Sequence, residues 1–253
     1  MVVADDRYAI ERTKWDAHAD DQTELRPFKP GADFGTWAAS APLLSGVGAF
    51  LGDLRGRRVV EYGCGLGKVT SLLARSGALV TAFDLSERSV EVARRRIELE
   101  GLVDLVEFHV APGEELPFED ASFDLAFGMA VLHHLEPVAG ARELARVLKS
   151  GGRAAFSEPL GTNPLVRFVR DHVPYPHKHE RGADIPLRHQ DVETWLAPFS
   201  EGSIRGVQLT SMVERMFGFK TVIEPLRYID REALRRRPGL WPLCRYGVLT
   251  LVR

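Results

Sequence analysis

The residues with the clearest chemical potential are an acid and three glycines in one short stretch, Glu61-Tyr-Gly63-Cys64-Gly65-Leu-Gly67. The apolar pair Val59–Val60 leads straight into it, and a helical pattern with Val69, Leu72 and Leu73 on one face follows. Glycine serves where a backbone takes positive φ or comes close to a ligand. A strand–glycine turn–helix unit therefore builds a nucleotide crevice at the carboxyl end of a parallel strand. Seventeen residues beyond Gly67 the next apolar strand ends in Asp84, whose carboxylate can accept both ribose hydroxyls of an adenosyl ligand. A tight turn without a ligand is the alternative, and the conjunction of turn and Asp84 argues against it. His133 and His134 follow a later apolar run, and histidine, titrating near neutral pH, is the usual general base for a hydroxyl acceptor.

Glycine spacing then discriminates between nucleosides. The dinucleotide fingerprint is G-x-G-x-x-G, whereas here the spacing is G-x-G-x-G with Glu61 just ahead. A negative side chain suits a cationic or zwitterionic ligand better than a pyrophosphate. S-adenosylmethionine carries a sulfonium and an amino-acid tail and no phosphate. Glu61–Gly67 resembles motif I of the class I S-adenosylmethionine-dependent methyltransferases, in particular the small-molecule enzymes of the UbiE-like, type 11 group. Similarity continues through Val80–Ser86, Glu115–Asp124, Met129–Leu135 and Glu143–Gly152, in the family's order over residues 57–158.

That resemblance implies S-adenosylmethionine as cofactor and methyl transfer as activity. It implies that Glu61, Gly63, Cys64, Gly65 and Gly67 hold the methionine tail and sulfonium side, Asp84 the ribose, and Leu85 the adenine face, with Met129 lining the methionine pocket. Many members place an acid a few positions before Leu-Pro-Phe for the adenine amino group. Pro112 stands there in this chain, so backbone groups at Gly113 and Glu114 are expected to read the base. The His133–His134 pair is shared by relatives with very different acceptors, which leaves two roles open: general base, or structural and cofactor-shielding. His172 is a further candidate to face the acceptor. No metal is expected, because displacement at a sulfonium needs none and His177-Lys-His179-Glu180 matches no standard zinc spacing.

The elements that must position these residues alternate strand and helix, which indicates parallel βαβ units with right-handed crossovers. Strands are expected at 58–62, 79–84, 105–110, 123–128, 153–157, 206–212 and 247–252, with Ser86 as an N-cap and Gly101 ending the helix it starts. The expected architecture is α/β: a Rossmann-like, doubly wound, mostly parallel seven-stranded sheet, a single domain over 1–253. The resemblance implies that its last two strands form an antiparallel edge pair. Residues 1–50 read as a helical cap, 57–158 as the cofactor core, 159–190 as a lid insertion, and 191–253 as the end of the sheet. Tyr8, Trp15 and Trp37 are positioned to close the acceptor pocket from the N-terminal side; packing against the domain is their alternative.

Composition narrows the partners. A formal net charge of −2 gives no electrostatic footprint for nucleic acid. Two cysteines exclude a disulfide framework and fit a reducing cytosol, and no apolar run approaches the length of a membrane span. The reading is therefore a cytoplasmic enzyme, monomer or homodimer, that methylates a small-molecule acceptor on oxygen, nitrogen or carbon. A specialised metabolite or a quinone- or lipid-like intermediate is the expected acceptor. The alternatives are a methyltransferase for RNA or protein, and a cofactor-binding fold reused for a non-methylating reaction such as cyclisation.

Overall fold

In a computed structural model, which describes residues 4–20, 25–44, 46–172, 185–213 and 223–253, strand order reverses beside the glycine turn. The described residues form a seven-stranded sheet in the order β3-β2-β1-β4-β5-β7-β6. Strands β1 (Arg58–Tyr62), β2 (Leu79–Asp84), β3 (Val106–Val110), β4 (Phe123–Met129) and β5 (Leu148–Pro159) are parallel. The chain leaves β1 outward to β2 and β3, then returns to β4 on the other side. This is the topological switch point at which open α/β sheets bind ligands. The final strand, β7 (Tyr246–Val252), lies antiparallel between β5 and the edge strand β6 (Glu201–Val207).

Strand alternation supplies a core on each face. Val59 packs with the layer containing α2 (Phe34–Ser40), α3 (Val47–Leu51), α4 (Lys68–Arg75) and α5 (Glu87–Glu100). Its neighbour Val60 packs with the layer containing α6 (Pro137–Val147), α8 (His189–Leu196) and α9 (Ile223–Arg236). Both valines are fully buried. Between these elements α7 (Pro164–His172) starts the expected insertion, and α1 (Ala4–Asp20) precedes everything else. Ser86 caps α5 by accepting from Ser89 N at 2.9 Å, and Gly101 ends it at φ 68°.

Two strands depart from the sequence reading by more than one residue. β5 starts at Leu148 instead of Arg153, because the chain pairs with Phe123 before its register shifts opposite Leu125. β6 lies at 201–207 instead of 206–212. The apolar residues Val207, Leu209 and Met212 suggested the later span, yet an edge strand paired on one side tolerates Glu201, Ser203 and Arg205 facing solvent. Gln208, at φ 61°, then turns the chain out of the sheet. No single helix among the described residues is long and apolar enough to cross a membrane.

Candidate active site

Glu61, Gly63 and Asp84 lie at the carboxyl ends of β1 and β2. Glu61 is only 3% exposed, and among the described residues its Oε2 has no hydrogen-bond partner. Burial and the nearby Asp84 carboxylate push the Glu61 carboxyl up to about 8. Asp84 is half-buried; its Oδ2 accepts from Gly65 N at 2.8 Å and its Oδ1 from Ser86 N at 3.0 Å. Burial raises its pKa despite these two donors. The turn requires glycine for steric reasons as well. Gly63 (φ 64°) and Gly67 (φ 72°) are left-handed, and an added Cβ would meet Val131 Cγ2 or Ala93 Cβ at 2.8 Å. Above Gly65 a Cβ would meet nothing within 4 Å, so the space over the turn is open.

Two cavities flank this turn. One, of about 280 Å³, is lined by Glu61, Gly63, Cys64, Lys68, Met129 and His18. The other, of about 260 Å³, is lined by Gly63, Gly65, Asp84, Leu85, Gly113, Glu114, Met129 and His134, with Tyr8, Glu11 and Trp15. Gly63 and Met129, at the ends of β1 and β4, line both. Cavities with Glu61 at one and Asp84 at the other can hold an elongated molecule with a cationic tail and a hydroxyl-bearing head. A larger hollow of about 460 Å³ beside α2 and α3 contains none of the turn residues. Its acids are already engaged: Asp33 caps α2, and Asp53 pairs with Arg55 at 2.7 Å.

Helix α1 roofs both cavities. Tyr8, Glu11 and Trp15 face the Asp84 side and His18 the Glu61 side, a spacing of three and four that places them on one helical face. Its contacts are polar. Arg7 pairs with Glu114, Glu11 approaches His134 Nδ1 at 3.3 Å, Asp16 meets Ser86 Oγ at 2.5 Å, and Asp20 meets Arg88 at 2.6 Å. The Trp15 ring stands edge-on to His134, with centroids 6.0 Å apart. Of the three aromatic candidates, Tyr8 and Trp15 reach the groove. Trp37 does not: it packs on Phe34 at 5.8 Å against the core.

The candidate histidines separate. His134 lines the Asp84-side cavity. His133 lines neither: its side chain is 3% exposed, with Nδ1 2.8 Å from Glu158 Oε2. The other oxygen of Glu158 accepts from Val131 N at 2.9 Å and Leu132 N at 3.0 Å, so a fully buried carboxylate on β5 fixes the turn after β4. His172 is exposed and lines neither cavity; it stacks on Phe168 at 4.5 Å, with Nδ1 3.0 Å from the Phe168 carbonyl oxygen. Gly67 also lines neither, serving instead to seat α4 on Ala93 of α5. His177 and His179 lie outside the described residues, as do 173–184 of the expected lid. Sequence reasoning missed Glu158, Arg7 and Glu11. An acid in the otherwise apolar run Ala154-Ala-Phe-Ser-Glu158 was the available signal for the first.

Comparison with known proteins agrees with this geometry. The family model described as a methyltransferase domain matches residues 60–156. A ubiquinone biosynthesis O-methyltransferase from Bordetella avium is 37% identical over 157 residues, 57% of this chain and 63% of that protein. Methyltransferase GfsG from Streptomyces halstedii is 41% identical over 105 residues, 41% of this chain and 38% of that protein. The chain thus spans less than two thirds of the length of these curated relatives. In fold, it resembles geranyl diphosphate methyltransferase solved with GPP and sinefungin, at a TM-score of 0.63 and 15% identity, covering 98% of this chain and 99% of that one. From the glycine turn, the sheet order and these matches, residues 60–156 are similar to a methyltransferase domain, and the described residues share the fold of solved methyltransferases.

Proposed function

We propose that this protein transfers a methyl group from S-adenosylmethionine to a small molecule. The observation that carries the reading is the pair of cavities meeting at Gly63 and Met129, with the unpartnered Oε2 of Glu61 at one and Asp84 at the other. An orphaned buried acid fits a ligand bearing an ammonium group. In this reading Glu61 holds the methionine ammonium, Asp84 the ribose hydroxyls and Leu85 the adenine face. The backbone at Gly63, Cys64 and Gly65, with Met129, surrounds the sulfonium. S-adenosylmethionine supplies the electrophilic methyl; the protein contributes proximity, orientation and exclusion of water.

His134, among the Asp84-side residues and next to Glu11 and Trp15, is assigned to shielding the cofactor. His133, held by Glu158, is assigned to positioning the β4 turn. Roofing by α1 favours a small acceptor over a macromolecule, because a macromolecule needs an open cleft. The reading takes a specialised metabolite or a quinone-like intermediate as the acceptor and the cytosol as the compartment; the unpaired thiols of Cys64 and Cys244 support the latter. Calorimetric titration with S-adenosylmethionine and S-adenosylhomocysteine tests the cofactor. Micromolar binding of both is expected, and methyl uptake by phenolic and amine-bearing metabolites is then screened. Absence of binding to stripped, folded protein overturns the reading.

A further inference from the structure

We propose that Arg96 is a positioning residue that ties the glycine turn to the chain leaving the α1 roof, so that ordering of the turn by bound cofactor is carried to that chain; this rests on the cofactor reading above. Arg96 lies on α5 and is only 5% exposed. Its Nε donates to the Leu66 carbonyl oxygen at 2.8 Å, and its Nη1 to the Arg26 carbonyl oxygen at 3.3 Å. Leu66 stands between Gly65 and Gly67 and lines the Glu61-side cavity. Arg26 follows the end of α1 at Asp20. One planar guanidinium thus holds both the turn beneath the groove and the chain that carries its cover.

Arg96 has no carboxylate partner among the described residues, and burial lowers its pKa. Glu100, whose charge acts on it, is engaged elsewhere: Oε1 accepts from Phe28 N at 2.7 Å, and Oε2 pairs with Arg75 at 2.6 Å. A buried cation without an acid is costly where an apolar side chain of similar length would fill the space. What Arg96 adds is the link between two carbonyls. Arg75 pins the same stretch of chain, donating to Ala32 O at 2.7 Å and Lys29 O at 3.1 Å, but makes no hydrogen bond to the turn. Residues 26–32 line neither cavity beside the turn. A ligand that settles the turn fixes Leu66, and with it the guanidinium, so the cost of ordering the chain at Arg26 falls without any change of shape.

The test is hydrogen exchange at the amides of Phe28, Lys29, Gly31 and Ala32, with and without saturating S-adenosylhomocysteine. In the intact protein the ligand is expected to slow exchange there by about fivefold or more. Arg96→Met fills the same space without a donor, and is expected to cut that slowing to less than about twofold while calorimetry shows the ligand bound. Arg96→Lys keeps the charge but not the planar fork, and carries the same expectation if the methionine variant does not fold. Glu100→Gln loosens the same stretch without touching the turn, and is expected to speed exchange in both states while keeping the slowing. Full slowing in either Arg96 variant overturns the proposal and leaves Arg96 as a structural prop. Loss of slowing in Glu100→Gln also overturns it, as does an intact protein that binds the ligand without slowing. If the intact protein binds no S-adenosylhomocysteine, the cofactor reading itself has failed.

Discussion

The floor and the roof of the groove are built by opposite means. The floor stands on β1 and β4, whose Val59, Val60, Leu125 and Ala126 are buried on alternating faces, and on a turn with no room for a side chain at Gly63 or Gly67. The roof is α1, polar around its circumference; among its described side chains only Ala19 is buried. Burial of apolar surface holds the floor, and ion pairs and hydrogen bonds hold the roof. Partly exposed pairs of this kind each contribute little, about 1 kcal/mol or less. The groove therefore combines a rigid base with a cover that is cheap to lift, which suits the exchange of ligand that the proposed function needs.

The sharpest way to break this contrast is at Gly67. Gly67→Val puts a branched side chain at φ 72° and 2.8 Å from Ala93, and is expected to destabilise the fold by about 3 kcal/mol or more. Chemical denaturation measures it, and an unchanged midpoint would show that the floor is less rigid than its packing. Asp84→Ala is next. It removes the carboxylate that orders Gly65 and Ser86 and is proposed to hold the ribose, so cofactor affinity should fall at least about tenfold. Unchanged affinity would sink that contact.

Glu61 sharpens the picture through pH. Burial pushes its carboxyl up to about 8, and a ligand ammonium favours the ionised form. Binding then releases a proton, so affinity should rise by up to about tenfold per pH unit below that value and level off above it. Titration in buffers of different ionisation enthalpy reads the proton directly. Glu61→Gln should flatten the profile; a slope that survives would mean that the proton comes from a group other than Glu61. The smallest effect belongs to the roof. Glu11→Gln should speed release of S-adenosylhomocysteine by about threefold while moving unfolding free energy by less than about 0.5 kcal/mol. A large loss of stability would mean that α1 belongs to the core after all.

Legibility followed the same division. Boundaries of β1 and β2, the Ser86 cap and the Gly101 stop are all local matters, set by alternation, capping chemistry and positive φ within a few residues of chain. β6 was misplaced because an edge strand leaves one face and one side to solvent, so its residues carry little apolar signal. The partnership of Glu158 with His133 spans 25 residues, and that of Arg7 with Glu114 spans 107. No periodicity predicts either, since a carboxylate and its partner carry no mark of each other in sequence.

What the sequence determined by itself is the glycine turn at the end of β1 and its likeness to a methyltransferase domain, because glycine, Asp84 and the strand–turn–helix pattern act within one βα unit. Tertiary structure alone decided which of two adjacent histidines faces the groove, that Tyr8 and Trp15 reach it while Trp37 packs against the core, and that the Glu114 side chain lies on its wall. The physical reason is that a side chain's role depends on what lies across from it, and those neighbours come from strands and helices distant in the chain.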